Sequence, residues 1–257
     1  MKIRYILICF FCFLGLIKDA YGQQSRRITD MLELPAPSNS YSYQQIFHLS
    51  YTVSFNPKHK IPNWVAWMLT KDKVINREFA RSDNFVSDPQ ITDNKCPDGN
   101  SYSYSGYDRG HMCPAGDNTW SKEAMDESFY MSNMCPQAHE LNNGTWKRLE
   151  ERCRKWAVQF ETIYIVCGPI IPEMHRKTIG DNITVPNHFF KAILRIDKKN
   201  NYRVLGFLFS QQNDCKVVTI DEIEQKTNTN LFHRIPKHIQ DKIESEIDYS
   251  HWPHYDR

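Results

Sequence analysis

The 257-residue chain lacks a strong excess of charge: 32 Lys+Arg stand against 30 Asp+Glu, a formal net charge of +2. Proteins that hold polyanions by bulk charge are strongly basic, so any polyanion handled here must be gripped by a local cluster of cations. Among the six cysteines beyond residue 22 no CxxC pair occurs, which leaves a structural zinc site without support. Beyond Gly22 no run is apolar for long enough to cross a bilayer. Internal repeats and low-complexity domains are also missing.

What is present begins with Lys2 and Arg4, an apolar run from Tyr5 to Ile17, and the small-x-small pair Ala20 and Gly22. This pattern predicts a signal peptide over residues 1–22, and hence a secreted or periplasmic protein with no membrane attachment after cleavage. Its removal leaves 29 cations and 29 acids. Six cysteines then remain, at 96, 113, 135, 153, 167 and 215. An even count in an exported chain is compatible with disulfides, although a domain this large does not need them. Cys153 and Cys167 fall in apolar patterns and read as small core residues.

Residues 23–45 read as a polar, poorly ordered lead-in, and 46–257 as a single domain able to bury a sizeable core. The stretch 46–70 contains two aromatic-rich runs around Asn56, Pro57 and Lys58, a hairpin signal. Residues 82–106 carry no period and read as loop. A short helix is predicted over 121–129 with Ser121 as cap. Over 142–160, Trp146, Leu149, Cys153, Trp156, Ala157 and Phe160 make one apolar stripe and predict the clearest helix. A buried strand at 162–170, stopped by Gly168-Pro169, precedes a second hairpin around "KKNN", and 221–227 reads as a helical turn or two. Strands and helices do not alternate regularly, which predicts an α+β fold with a mainly antiparallel central sheet flanked by helices.

Two segments carry chemistry. In "GYDRGHMCPAGD" His111 stands near neutrality in its unperturbed pKa, so a modest push leaves it neutral and able to accept a proton. Asp108 is placed to orient its ring or to anchor the loop. In "YMSNMCPQAHELNNGTWKRLEERCR" the amides Asn133, Gln137, Asn142 and Asn143 precede the strong helix. Amide and carboxylate oxygens are the hard ligands that Mg²⁺ accepts. Glu150 and Arg154, four apart with the acid first, have the spacing of a helical ion pair. On an unbroken helix, Asn142, Glu150 and Arg154 fall within an arc of about 120°. The alternative on the helix alone is a capping amide plus an exposed salt bridge.

Together these segments resemble the DNA/RNA non-specific endonuclease family, the ββα-metal (His-Me finger) nucleases that include endonuclease G. The matching strings are "YDRGHMCPAGD", "YMSNMCPQAHELNNGTWKRLEERCR", "IVCGPII", "ITVPNHFFKAIL" and "TIDEIEQKT", in family order over about residues 46–240. The resemblance implies a ββα-metal motif and a metal-dependent endonuclease that hydrolyses DNA and RNA with little sequence specificity. It implies His111 as general base, Asn142 as the direct ligand of Mg²⁺ (or Mn²⁺), and Glu150 as an acid holding metal-bound water. Arg154 becomes a cation at the scissile region, Asn133 and Gln137 amides that shape the site, and Asp108 and Arg109 supports of the loop. The family's phosphate-reaching arginine matches Arg81, although its spacing to Phe85 is longer than in some members; Arg77 is the fallback. No motif carries an element into a groove, so base edges are not expected to be read.

Sequons occur at Asn143 and Asn182. A glycan on Asn143, beside the implied ligand, would obstruct a polymer, which favours a bacterial host. Two other readings use the same residues: an enzyme narrowed to one substrate, and a non-catalytic binder of nucleic acid or protein. The tail "HWPHYDR" has no assigned role.

Overall fold

Runs of β-branched and aromatic residues build the central strands of this chain. The computed structural model describes residues 31–39, 42–92, 95–171, 174 and 176–253, so the signal-peptide prediction lies outside the described residues. In chain order the strands are β1 (Gln44–Phe47), β2 (Thr52–Asn56), β3 (Ile61–Thr70), β4 (Asp108–His111), β5 (Met134–Gln137) and β6 (Thr162–Ile170). β7 (Thr178–Ile179), β8 (Ile183–Thr184), β9 (His188–Ile196), β10 (Tyr202–Ser210) and β11 (Cys215–Val218) follow. The helices are α1 (Lys71–Ile75), α2 (Lys122–Ser128), α3 (Lys147–Phe160), α4 (Ile220–Thr227) and α5 (Lys237–Ile243).

Seven strands form one antiparallel sheet in the order β1-β2-β3-β6-β9-β10-β11, with β4-β5 as a separate antiparallel pair. Both predicted hairpins are present. At the first, the Asn56 side-chain oxygen accepts from the Lys58 and His59 amides and Lys60 takes a positive φ. At the second, Asp197 Oδ1 accepts from the Lys199 and Asn201 amides while Asn200 is left-handed. The α+β class with a mainly antiparallel sheet is what the chain adopts.

The sheet is covered on two faces. On one, Leu149, Cys153 and Trp156 of α3 join Trp146, Phe189, Phe207 and Phe209 in the main core. Trp146 and Trp156 are buried, and a side chain of that size stabilises the fold by about 3 kcal/mol. On the other, Gly206 faces Ile220 and Ile223 of α4, which packs on β9 and β10, and α5 packs on β10.

Several expectations need correction. The lead-in is structured at its end: Leu34 and Pro35 are buried, the Ala36 amide donates to the Asn230 carbonyl at 2.8 Å, and β1 starts at Gln44. Strand β6 runs through Gly168-Pro169 to Ile170, because Gly168 lies against the Asn63 carbonyl of β3 where no Cβ fits. The cysteine pairing that the sequence left open resolves, among the described residues, as six free thiols, five of them buried. The tail helps to close the core, since Trp252 meets Trp156 and Phe160 edge to face, and the Pro253 carbonyl accepts from the Trp156 indole at 3.0 Å.

Among the described residues no helix is long and apolar enough to cross a membrane.

Candidate active site

His111 lies not on a loop but on strand β4, opposite Met134 of β5, while Asp108 at the other end of β4 stands opposite Gln137. The pairing depends on Gly110, because any Cβ there would overlap the Gln137 side chain. That amide therefore packs directly over the strand, and neither of its polar atoms has a hydrogen-bond partner among the described residues.

Asp108 does not touch the His111 ring. Its Oδ2 takes hydrogen bonds from Asn142 Nδ2 and His139 Nδ1, each at 2.9 Å. Asn142 is thereby oriented, its Nδ2 committed and its Oδ1 left as the acceptor atom. Arg109 turns the other way, donating from Nε to the Gly99 carbonyl at 2.9 Å with its guanidinium over Phe85.

The His111 ring is boxed by aromatic edges, Phe129 at 4.8 Å and Phe85 at 5.7 Å between centroids. The residue is 8% exposed and its Nε2 has no hydrogen-bond partner among the described residues. Burial, helped by the Arg81 cation, pushes its pKa down to about 3, against the opposing pull of Asp83 and a backbone bond to Arg109. The ring is consequently neutral across the physiological range. Its carbonyl accepts from the Trp146 indole at 3.1 Å, which ties β4 to the turn leading into α3.

Arg81, not Arg77, stands beside this ring. Its guanidinium covers Phe129 at 4.8 Å and its Nε donates to Asp83 at 2.5 Å, whereas Arg77 donates to the Val74 carbonyl. The Arg81–Asp83 pair is half exposed and costs little to exchange for another anion.

The helix predicted from residue 142 is interrupted. A single turn at His139–Leu141 leads into a wide π-type turn, Asn142–Trp146, before α3. Gly144 is non-helical at φ −99° and ψ −118°, and Asn213 Oδ1 enters the break to accept from the Thr145 amide at 2.7 Å. A Cβ at residue 144 would overlap that same oxygen. Asn142 closes the His139–Leu141 turn and is not the N-terminal cap of α3, nor is it in simple helical phase with Glu150, and the arc expected for an unbroken helix does not hold across the break. Wide turns of this kind are frequent at functional sites.

Arg154 and Glu150 do not form the anticipated i,i+4 bridge. Arg154 Nη1 donates instead to Asp117 Oδ1 at 2.9 Å, and Asp117 also accepts from the Trp67 indole at 3.1 Å. Burial lifts the Glu150 carboxyl to about 7, while Lys191 and Arg154 pull it down. Asn133 is a fully buried clamp: its amide bonds the Cys113 amide and carbonyl and the Ser128 carbonyl, each at 2.8 Å. It shapes the connection after His111 rather than facing outward.

Several contributors escaped sequence reasoning. Asp117, His139, Gln211 and Asn213 act through contacts distant in the chain. Gln211 accepts from the Ala138 amide and donates to the Pro136 and Pro186 carbonyls, bracing the end of β5. Lys191 carried a readable signal, a lysine inside an apolar strand. Its Nζ is buried without a hydrogen-bond partner, 4.1 Å from the Trp146 ring centroid.

The antiparallel pair β4-β5 followed by α3 makes a ββα arrangement, with His111 on its first strand and Asn142 just ahead of its helix. Residues 31–238 match the family described as DNA/RNA non-specific endonuclease, and the chain belongs to that family. A nuclease of Nostoc sp. is 33% identical over 218 residues, 77% of this chain and 76% of that protein. The mitochondrial nuclease EXOG of Danio rerio is 35% identical over 158 residues, 58% of this chain and 46% of its own length. This chain thus spans less than half of that relative. A crystal structure of the EndoG/EndoGI complex superposes with a TM-score of 0.70 at 26% identity, covering 82% of this chain and 93% of that one.

Proposed function

We propose that this protein is an exported endonuclease that hydrolyses phosphodiester bonds of DNA and RNA, with His111 as general base. The observation that carries the reading is the unpartnered Nε2 of a neutral His111 beside Arg81. Export rests on the N-terminal pattern, and a bacterial periplasmic or extracellular setting on the sequon at Asn143.

The donor set suits a hard divalent cation. Asn142 Oδ1 is directed by the Asp108 bond, and Glu150 supplies carboxylate oxygens at the start of α3. Asn142 would hold Mg²⁺ or Mn²⁺ directly and Glu150 through water; when bound, the ion supplies Lewis acidity to the phosphate.

The chain's own residues do the remainder. His111 Nε2 takes the proton of the attacking water, a role for which a neutral ring is required. Arg81 exchanges Asp83 for the phosphate and offsets its growing charge. The Asp117 pair fixes Arg154, so that side chain acts from a set position. Phosphate and sugar contacts position the polymer without reading bases, in keeping with low sequence specificity.

Digestion of plasmid and of RNA by the mature chain with Mg²⁺, with EDTA, and with His111→Ala tests the proposal. Cutting that needs the metal and is lost in the variant supports it. Intact plasmid and RNA across Mg²⁺ and Mn²⁺ contradict it.

A further inference from the structure

Away from β4 and α3, three carboxylates meet where α4 approaches the end of α5. Oxygens of Asp221, Glu224 and Glu244 lie within 4.8 Å of one another. Two backbone features fix the meeting: the Asp221 amide donates to the Glu244 carbonyl at 3.1 Å, and the Leu231 amide donates to Glu224 Oε1 at 2.6 Å. Glu224 and Asp221 stand three apart on α4, hence on one face.

Glu244 is the informative member. It is 3% exposed, and its Oε1 is buried with no hydrogen-bond partner. It also closes the C-terminal end of α5, where the helix dipole disfavours an anion. A buried carboxylate with two like charges beside it and one oxygen left without a donor is costly unless a cation meets it. The surrounding charges do not supply one. Lys237 acts on both glutamates but is ion-paired with Asp241, and Asp241 adds a further negative charge. Burial raises both glutamates, with Asp221 adding to it at Glu224 (to about 7) and Glu224 and Asp221 adding to it at Glu244 (to about 8).

We propose that Asp221, Glu224 and Glu244 form a divalent-cation site of calcium type that clamps α4 to α5. The donors are all hard oxygens. One is buried, one half-buried and one exposed, which suits an ion that accepts irregular shells completed by water. Mg²⁺ demands near-ideal octahedral geometry and fits such a set less well. The site is separate from Asn142 and has a structural role.

Thermal unfolding of the mature chain at pH 7.5, with millimolar Ca²⁺, with Mg²⁺ and with EDTA, tests the assignment. Wild type is expected to gain about 5 °C in Tm with Ca²⁺. Asn142→Ala should keep the gain, while Glu244→Gln and Asp221→Asn should lose it. Asp221 is exposed, so Asp221→Asn decides the matter if Glu244→Gln does not fold. A gain that disappears in Asn142→Ala and survives in Asp221→Asn overturns the proposal and assigns the effect to the Asn142 site. An equal gain with Mg²⁺ overturns the calcium assignment. A wild-type Tm that responds to falling pH but to neither cation overturns the site, leaving protons to balance the three acids.

Discussion

His48 and His111 are both buried in this fold, yet their protons go opposite ways. The His48 side chain is fully buried and burial alone would discharge it, but Nε2 lies 2.9 Å from Asp88 and Nδ1 3.5 Å from Glu127, which lift it to about 9. Asp88 is held in turn by Ser132 Oγ at 2.5 Å and the Gln90 amide at 2.9 Å. His111 meets aromatic edges and an arginine where His48 meets carboxylates, and falls to about 3. Carboxylate neighbours turn a buried histidine into a structural cation, whereas aromatic neighbours and a nearby cation leave a neutral base. Position in the core does not separate the two; the partner does.

Removing each histidine's environment should break that contrast in order of size. His111→Ala is expected to lower plasmid cleavage by about a thousandfold, since general-base catalysis typically contributes 10²–10⁴-fold. Asp88→Asn leaves the His48 cation with Glu127 alone, its closer partner gone. It should destabilise the fold by about 3–5 kcal/mol in urea unfolding while the folded fraction keeps its activity.

The pH dependence of stability sharpens the same comparison. His48, raised from 6.5 to about 9, contributes stability that is complete below pH 6.5 and is lost as pH rises through about 9. His111, lowered from 6.5 to about 3, contributes stability present above pH 6.5 and lost as pH falls towards 3. Urea titrations at stepped pH should show Asp88→Asn flattening the alkaline fall and His111→Ala flattening part of the acid fall.

Arg81→Ala should lower turnover about a hundredfold through lost charge stabilisation, and Arg77→Ala should leave it unchanged, as steady-state kinetics would show. The smallest effect is expected at Asn213. Its replacement by Ala leaves the Thr145 amide unpaired at the helix break, costing about 1–2 kcal/mol. The same change should weaken activity about tenfold through Asn142, measured as metal dependence of the rate.

Local patterns account for what was legible in the sequence. The alternating runs around Asn56 and around "KKNN" announced β2–β3 and β9–β10, because turn residues and a period of two act over a few positions. The stripe Trp146, Leu149, Cys153 and Trp156 announced the buried face of α3. The same period concealed the break at Gly144, since the cause is Asn213, 68 positions beyond Thr145 and reaching in from the β10–β11 turn. Asp117 likewise takes Arg154 from Glu150 across a separation of 37 residues. Helical spacing names the neighbour on the same helix but not a stronger competitor from another element. At the candidate site, residue types within short motifs marked His111, Asn142 and Glu150. The bonds that orient them, from Asn142 to Asp108 and from Trp146 to the His111 carbonyl, became visible only in the folded chain.

A titration of ring-¹⁵N-labelled protein followed by NMR, with the two signals assigned through His111→Gln and His48→Gln, tests the role of His111 most directly. His111 should remain neutral from pH 8 down to at least pH 5, while His48 stays protonated until pH approaches about 9. A His111 ring that is protonated at neutral pH, or that follows the same curve as His48, would contradict the assignment of His111 as the base.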